Sequence, residues 1–286
     1  MPEPIAPGTS RTWFITGAGR GLGREFTKAA LEAGDQVAAT ARTPSAMDDL
    51  AAEYGSRLAV LALDVTDREG VLAAVDHAVA RFDRLDVVVN NAGIASYGAV
   101  EEFTEADARA QLETNFFGAL WVSQAVLPRL REQGSGHIVQ ISSIGGLAAF
   151  PTTGLYSASK WALEGMSEAL AMEVAPFGIK LTIVEPGGYW TGLYDNMLQP
   201  AAHPAYTNMR SELARHWADN SVDSAPHLAA EALMKLVQSD DPPLRLILGS
   251  TVFDAALDIT RQRIQAWQSW EEVSRAAEQA IPAPAS

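Results

Sequence analysis

The chain has no cysteine among its 286 residues. That excludes disulfide bonds, a thiolate nucleophile and a cysteine-ligated zinc, and it fits a reducing compartment, so the expected location is the cytoplasm. Long apolar runs are also missing, and no stretch reaches the roughly 20 residues of a membrane-spanning helix. Histidine is scarce: His77, His137, His203, His216 and His227 are scattered without the spacing of metal ligands, so no metal site is expected. Basic charge is in short supply. Lysine and arginine total 21 against 35 acidic residues, a formal net charge of -14, which argues against general nucleic-acid binding. Residues 1–11 lack the basic-then-apolar order of an export signal and read as a disordered lead-in.

What is present suits one large α/β domain, with 48% hydrophobic residues spread along the chain. An apolar run from Thr12 to Thr16 reads as a strand and enters Gly17-Ala18-Gly19-Arg20-Gly21-Leu22-Gly23. Phe26, Ala29, Ala30 and Ala33 then follow at helical spacing, up to Gly34. Strand, glycine loop and helix in that order suit a dinucleotide phosphate. Glycines let the backbone approach it, and the helix N-terminus offers free N–H groups. The next strand, Gln36 to Arg42, has Ala41 where an NAD site places the acid that binds the ribose. Arg42 follows instead, and with Arg20 it can grip a ribose 2′-phosphate. NADP(H) is therefore the expected cofactor, with NAD(H) the lesser alternative.

Further on, a strand ends at Asp64-Val65. The apolar run Asp86 to Val89 suits a central parallel strand buried on both faces, and it delivers Asn90-Asn91-Ala92-Gly93. Helices are expected within Glu101–Pro128, around Thr114-Asn115-Phe116-Phe117-Gly118. The run His137 to Ile141 closes on Ser142-Ser143, and a long helix is expected over Leu155–Pro176. On it Tyr156 and Lys160 lie four apart, on one face. A phenol has a pKa of about 10. A fixed positive charge beside it lowers that value, which makes Tyr156 a general acid/base. Ser143 could hold a substrate oxygen. The strand Ile179–Val184 runs into Glu185-Pro186-Gly187-Gly188-Tyr189-Trp190-Thr191. Residues 192–225 follow no strong period and read as a lid. Pro226–Gln238 is expected to be helical and Leu244–Leu248 a last strand.

Thr-Gly-x-x-x-Gly-x-Gly, Asn-Asn-Ala-Gly, and Ser143 thirteen positions before Tyr-x-x-x-Lys resemble, over roughly Thr12 to Leu248, the short-chain dehydrogenase/reductase family. The resemblance implies a single-domain Rossmann-type doubly wound sandwich over 12–250, of about seven parallel strands with helices on both faces. A helical extension and tail would occupy 251–286. It implies hydride transfer between a carbonyl and an alcohol, with Asn115, Ser143, Tyr156 and Lys160 catalytic. The cofactor would lie against Gly17, Gly19, Arg20, Gly21, Leu22, Gly23 and Arg42. Asp64, Val65, Asn91, Ala92, Gly93, Tyr156, Lys160, Pro186, Gly187, Tyr189 and Thr191 would complete its site. Tyr189 departs from the small aliphatic residue usual in relatives.

The substrate is expected beside Ser96, Ile144, Gly145, Tyr189, Trp190 and Tyr194. Ala39-Thr40-Ala41-Arg42, Ser157 to Gly165 and Pro176-Phe177-Gly178 resemble the 17β-hydroxysteroid and retinol dehydrogenase branch, which implies a bulky apolar substrate. The family also implies a homodimer or homotetramer through segments 113–131 and 155–175. Two other readings stay open: a catalytically silent NADP(H)-binding sensor or scaffold, and an epimerase or lyase on the same fold.

Overall fold

Short runs rich in Val, Ile, Leu and Ala form the strands. These are β1 (Thr12–Ile15), β2 (Gln36–Ala41), β3 (Leu58–Ala62), β4 (Val87–Asn90), β5 (Gly136–Ile141) and β6 (Ile179–Pro186). The two-residue strands β7 (Gly188–Tyr189) and β8 (Asp223–Ser224) pair with each other, and β9 (Arg245–Leu248) comes last. The computed structural model describes residues 10–193, 196–220 and 222–279. Seven strands make one sheet in the order β3-β2-β1-β4-β5-β6-β9, and every pairing is parallel. This is the doubly wound Rossmann-type sheet. Val87, Val88 and Val89 are all buried because helices cover both faces there.

The period-two alternation of side chains sorts the core into two layers. Trp13 and Ile15 face α1 (Gly21–Glu32), α2 (Asp48–Tyr54) and α9 (Pro226–Gln238). Phe14 faces α3 (Arg68–Phe82), α5 (Gly118–Gln133) and α7 (Gly154–Val174). Each fully buried large side chain such as Phe14 contributes on the order of 2 kcal/mol. The Trp13 indole N–H is not stranded by burial, since it donates to Asp35 at 2.8 Å.

Local chemistry reshapes some expected elements. Pro44 opens a 3₁₀ turn, Pro44–Met47, that leads into α2 at Asp48. The Glu101–Pro128 region divides into a 3₁₀ turn (Val100–Glu102), α4 (Glu105–Leu112), one π-helical turn (Glu113–Phe117) and α5. Thr104 caps α4 by accepting from the Asp107 N–H, and Asp107 accepts from the Thr104 N–H in return. Beyond β5 lies the single turn α6 (Ile144–Leu147). The segment between β7 and β8 carries α8 (Thr207–Asn220), and the C-terminal region forms α10 (Ser250–Ser269) and α11 (Glu271–Ala276). Among the described residues no helix is long and apolar enough to cross a membrane.

Chain order reverses between β1 and β4. The crevice at their carboxyl ends is where open α/β sheets take ligands.

Candidate active site

Thr16, just beyond β1, ties the two sides of this crevice together. Its hydroxyl accepts from the N–H groups of Asn91 and Ala92, both at 3.0 Å, and the Asn91 amide donates back to the Thr16 carbonyl at 2.9 Å. The glycine loop is built for close approach. Gly17 and Gly21 have φ of +65° and +56°, and a Cβ on Gly21 would stand 3.1 Å from Thr191. Helix α1 starts beside it with no side-chain cap, so its first amides remain for an anion.

A cleft of about 430 Å³ runs from this loop to the Tyr/Lys helix. Gly17, Gly19, Arg20, Gly21, Leu22, Arg42, Asp64 and Val65 line one end, and Ala41 leaves it open beside Arg42. Neither Arg20 nor Arg42 makes an ion pair with a described acid. Asn91, Ala92 and Gly93 line the middle. Ser143, Tyr156, Lys160, Pro186, Gly187, Tyr189 and Thr191 line the other end. Uncapped amides, positive-φ glycines and two unpaired guanidinium groups fit a phosphate-bearing dinucleotide. Gly23 lies behind the loop instead. A Cβ there would come within 2.4 Å of both the Asn91 amide and the Gly17 carbonyl, so its role is close packing.

Ser143 is the N-cap of α6. Its Oγ accepts from the Gly145 N–H at 3.1 Å, which leaves its own proton to donate. The Tyr156 ring packs against Gly145, where a Cβ would meet it at 3.2 Å. Lys160 is buried and donates to the Ile141 carbonyl at 2.9 Å, and its ammonium lies 5.7 Å from the Tyr156 ring centroid. Burial pushes its pKa down to about 8, against the pull of Glu164 in the other direction.

Asn115 sits in the π-helical turn, a local widening that admits a polar side chain to the interior. Its amide accepts from the Ile94 N–H, and it donates to the Ile94 carbonyl and the Ser159 hydroxyl, all within 3.0 Å. Gly93 separates Asn115 from Lys160, and a Cβ on it would lie 3.3 Å from one and 3.8 Å from the other.

The expected substrate residues are less gathered. Tyr189 is buried at the cleft wall. Trp190, the next residue, is 71% exposed because alternation from β7 turns it outward. Ile144 and Gly145 stand behind Ser143, outside the cleft lining. Ser96 is buried in a bridge to Leu198, where the segment after β7 runs beside the chain leaving β4. Tyr194 lies outside the described residues. Leu63, Ile141, Leu193 and Asn196 also line the cleft and carry no motif, and Thr114 lines it from the string that holds Asn115. Ser159 could have been singled out, since it precedes Lys160 inside the Tyr-x-x-x-Lys string.

The family model for short chain dehydrogenases matches residues 11–201. The oxidoreductase BOA17 of Botryotinia fuckeliana is 41% identical over 274 residues, 94% of this chain and 99% of that protein. The 3-ketodihydrosphingosine reductase of Bacteroides thetaiotaomicron is 38% identical over 84% of this chain and 88% of its own. The crystal structure of a short-chain dehydrogenase from Streptomyces avermitilis superposes with a TM-score of 0.88 at 40% identity, covering 95% of this chain and all of that one. With the parallel sheet, the glycine loop and the Ser143–Tyr156–Lys160 cleft in agreement with these matches, the chain belongs to the short-chain dehydrogenase/reductase family of oxidoreductases.

Proposed function

We propose that the protein is an NADP(H)-dependent oxidoreductase that interconverts a ketone or aldehyde and an alcohol. One observation carries the reading: Ser143, Tyr156 and Lys160 line the same cleft as the uncapped glycine loop and the unpaired Arg20 and Arg42. When bound, the nicotinamide supplies the hydride in reduction and takes it up in oxidation.

The Ser143 hydroxyl donates to the substrate oxygen. In reduction the carbonyl π pair moves onto that oxygen as hydride reaches carbon, and the Tyr156 hydroxyl gives its proton there. The Lys160 ammonium stabilises the phenolate left behind. Asn115, fixed by Ile94 and Ser159, supports the water path that returns a proton to Tyr156. Arg42 and Arg20 take the 2′-phosphate. Ala41 supports that assignment, since an acid there would repel the phosphate. The relative named for reducing 3-ketodihydrosphingosine supports a ketone as the oxidised substrate. The lid and the buried Tyr189 favour a bulky apolar one, in line with the hydroxysteroid and retinol branch. A homodimer through the 113–131 and 155–175 segments completes the reading.

The test is absorbance at the reduced-nicotinamide band, with a ketone panel and NADPH or NADH in parallel. Ketone-dependent loss of NADPH, much faster than of NADH, is expected. Arg42→Ala should narrow that preference by about tenfold, and equal rates in the unaltered protein would sink the 2′-phosphate assignment. Tyr156→Phe should lose at least about 100-fold in turnover while NADPH still binds. Retained turnover would remove Tyr156 from its role. NADPH binding without oxidation of either nucleotide would favour the sensor reading.

A further inference from the structure

One turn beyond Lys160, α7 carries a charged cluster that the proton transfer itself does not use. The Glu164 carboxylate is buried, and both its oxygens are engaged. Oε1 accepts from the Ser142 hydroxyl at 2.5 Å, and Oε2 accepts from the Arg245 guanidinium. The same guanidinium donates to Glu185 and, at 2.7 Å, to Glu168. Arg245 comes from β9, Glu185 from the end of β6, Ser142 from just beyond β5, and Glu164 and Glu168 from α7.

The three segments joined here are those that present the reacting groups. Ser142 precedes Ser143, Glu185 precedes Pro186-Gly187, and Glu164 follows Lys160 by one turn. Gly146 makes room for the cluster, because a Cβ there would overlap Glu164 Oε1 and stand 2.6 Å from the Ser142 hydroxyl. Burial, with the Glu164 charge beside it, pushes the Glu185 carboxyl up to about 7 even beside Arg245. Three carboxylates around one guanidinium leave the cluster negative, and Lys160 lies buried one turn away on α7.

We propose that Ser142, Glu164, Glu185 and Arg245 form a positioning network that locks the Tyr156–Lys160 helix to the ends of β5 and β6, and that the buried Glu164 carboxylate, one helical turn from the buried Lys160, supports its ammonium. The effect on catalysis rests on the reading that Tyr156 and Lys160 carry the proton transfer. The charged and titratable groups around Lys160 and Glu164 are Tyr156 and Glu168 on α7, Glu185 on β6 and Arg245 on β9. Glu164 opposes the burial that favours neutral Lys160. Its removal should therefore release the Lys160 proton at lower pH. A carboxylate lost at this range in a buried site is worth on the order of one pKa unit, a tenfold smaller ratio of ammonium to amine near pH 8.

The experiment follows the ¹³Cε resonances of the lysines during pH titration of the free protein. Only four lysines are present, Lys28, Lys160, Lys180 and Lys235, and Lys160→Met identifies the relevant signal. Glu164→Gln should move the Lys160 titration down by about one unit. The pH profile of kcat should move the same way, with KM for NADPH little changed. Arg245→Lys, which keeps the charge but loses the fork, should lower kcat without that downward shift. An unmoved Lys160 titration in a folded Glu164→Gln protein would overturn the proposal, as would an Arg245→Lys protein with unaltered kcat. Failure of the proton-transfer reading is separate. It would appear as turnover surviving in Tyr156→Phe, while the lysine titration still reports on the network.

Discussion

His137 shows how far surroundings override a residue's ordinary chemistry. It is buried at the start of β5, and its Nε2 lies 3.0 Å from the Thr182 hydroxyl. That hydroxyl gives its own proton to the Pro243 carbonyl, so the imidazole must carry its proton on Nε2. Burial, then Lys180 and Arg11, hold its pKa down to about 4. The unfolded chain takes up a proton below about 6.5, whereas the folded one does so only near 4. Stability from this group is therefore whole above pH 6.5 and lost as pH falls through that window, about 3 kcal/mol in all. His137→Gln should flatten the fall in unfolding free energy between pH 6.5 and 4, measured by urea titration at several pH values. An unchanged slope would show that another group drives the acid sensitivity. At this scale the sequence was legible where the cleft residues sit in one short string, as with Tyr156 and Lys160. Glu164 and Arg245 were not legible, because they lie 81 residues apart and meet only across α7 and β9.

Elements differ in how much of their geometry is local. The glycine loop is almost wholly so. Gly21 needs its positive φ, and the turn that requires it lies between an apolar run and a helical stripe. Gly21→Ala would strain the backbone by about 1–2 kcal/mol and press a methyl toward Thr191. The expected result is at least tenfold weaker NADPH binding by fluorescence titration, with a melting temperature only a few degrees lower. Unchanged affinity would mean that the loop does not hold the phosphates. The helix carrying Asn115 is the opposite case. Periodicity anticipated helices over 101–128 but not the π-helical turn at Glu113–Phe117. One inserted residue per turn leaves little trace in a hydrophobic pattern, and the bonds that reward it come from Ile94 and Ser159 in other segments. Helix α8 also escaped the pattern. Half-exposed apolar residues such as Trp217 give it no continuous buried stripe.

The molecule as a whole leaves apolar surface uncovered on α7 and just after it. Met172 is 74% exposed, and Trp161 and Phe177 are each nearly half exposed, with the Arg131 guanidinium from α5 over the Phe177 ring. We expect these surfaces to meet in a homodimer. Light scattering should give twice the chain mass at micromolar concentration, and Met172→Glu should shift it toward one chain. A monomeric unaltered protein would refute this. The sequence by itself determined the parallel sheet, the order of its motifs and the crevice that they share. Each motif is a local string on a strand end or a helix start, and parallel β-α-β connections bring every strand's carboxyl end to the same edge. Only the tertiary structure decided which side chains near those motifs face the cleft. It turned Tyr189 in and Trp190 out, paired Ser96 with Leu198, and set Arg245 among three carboxylates. Such contacts depend on packing between segments far apart in the chain, and no local spacing encodes them.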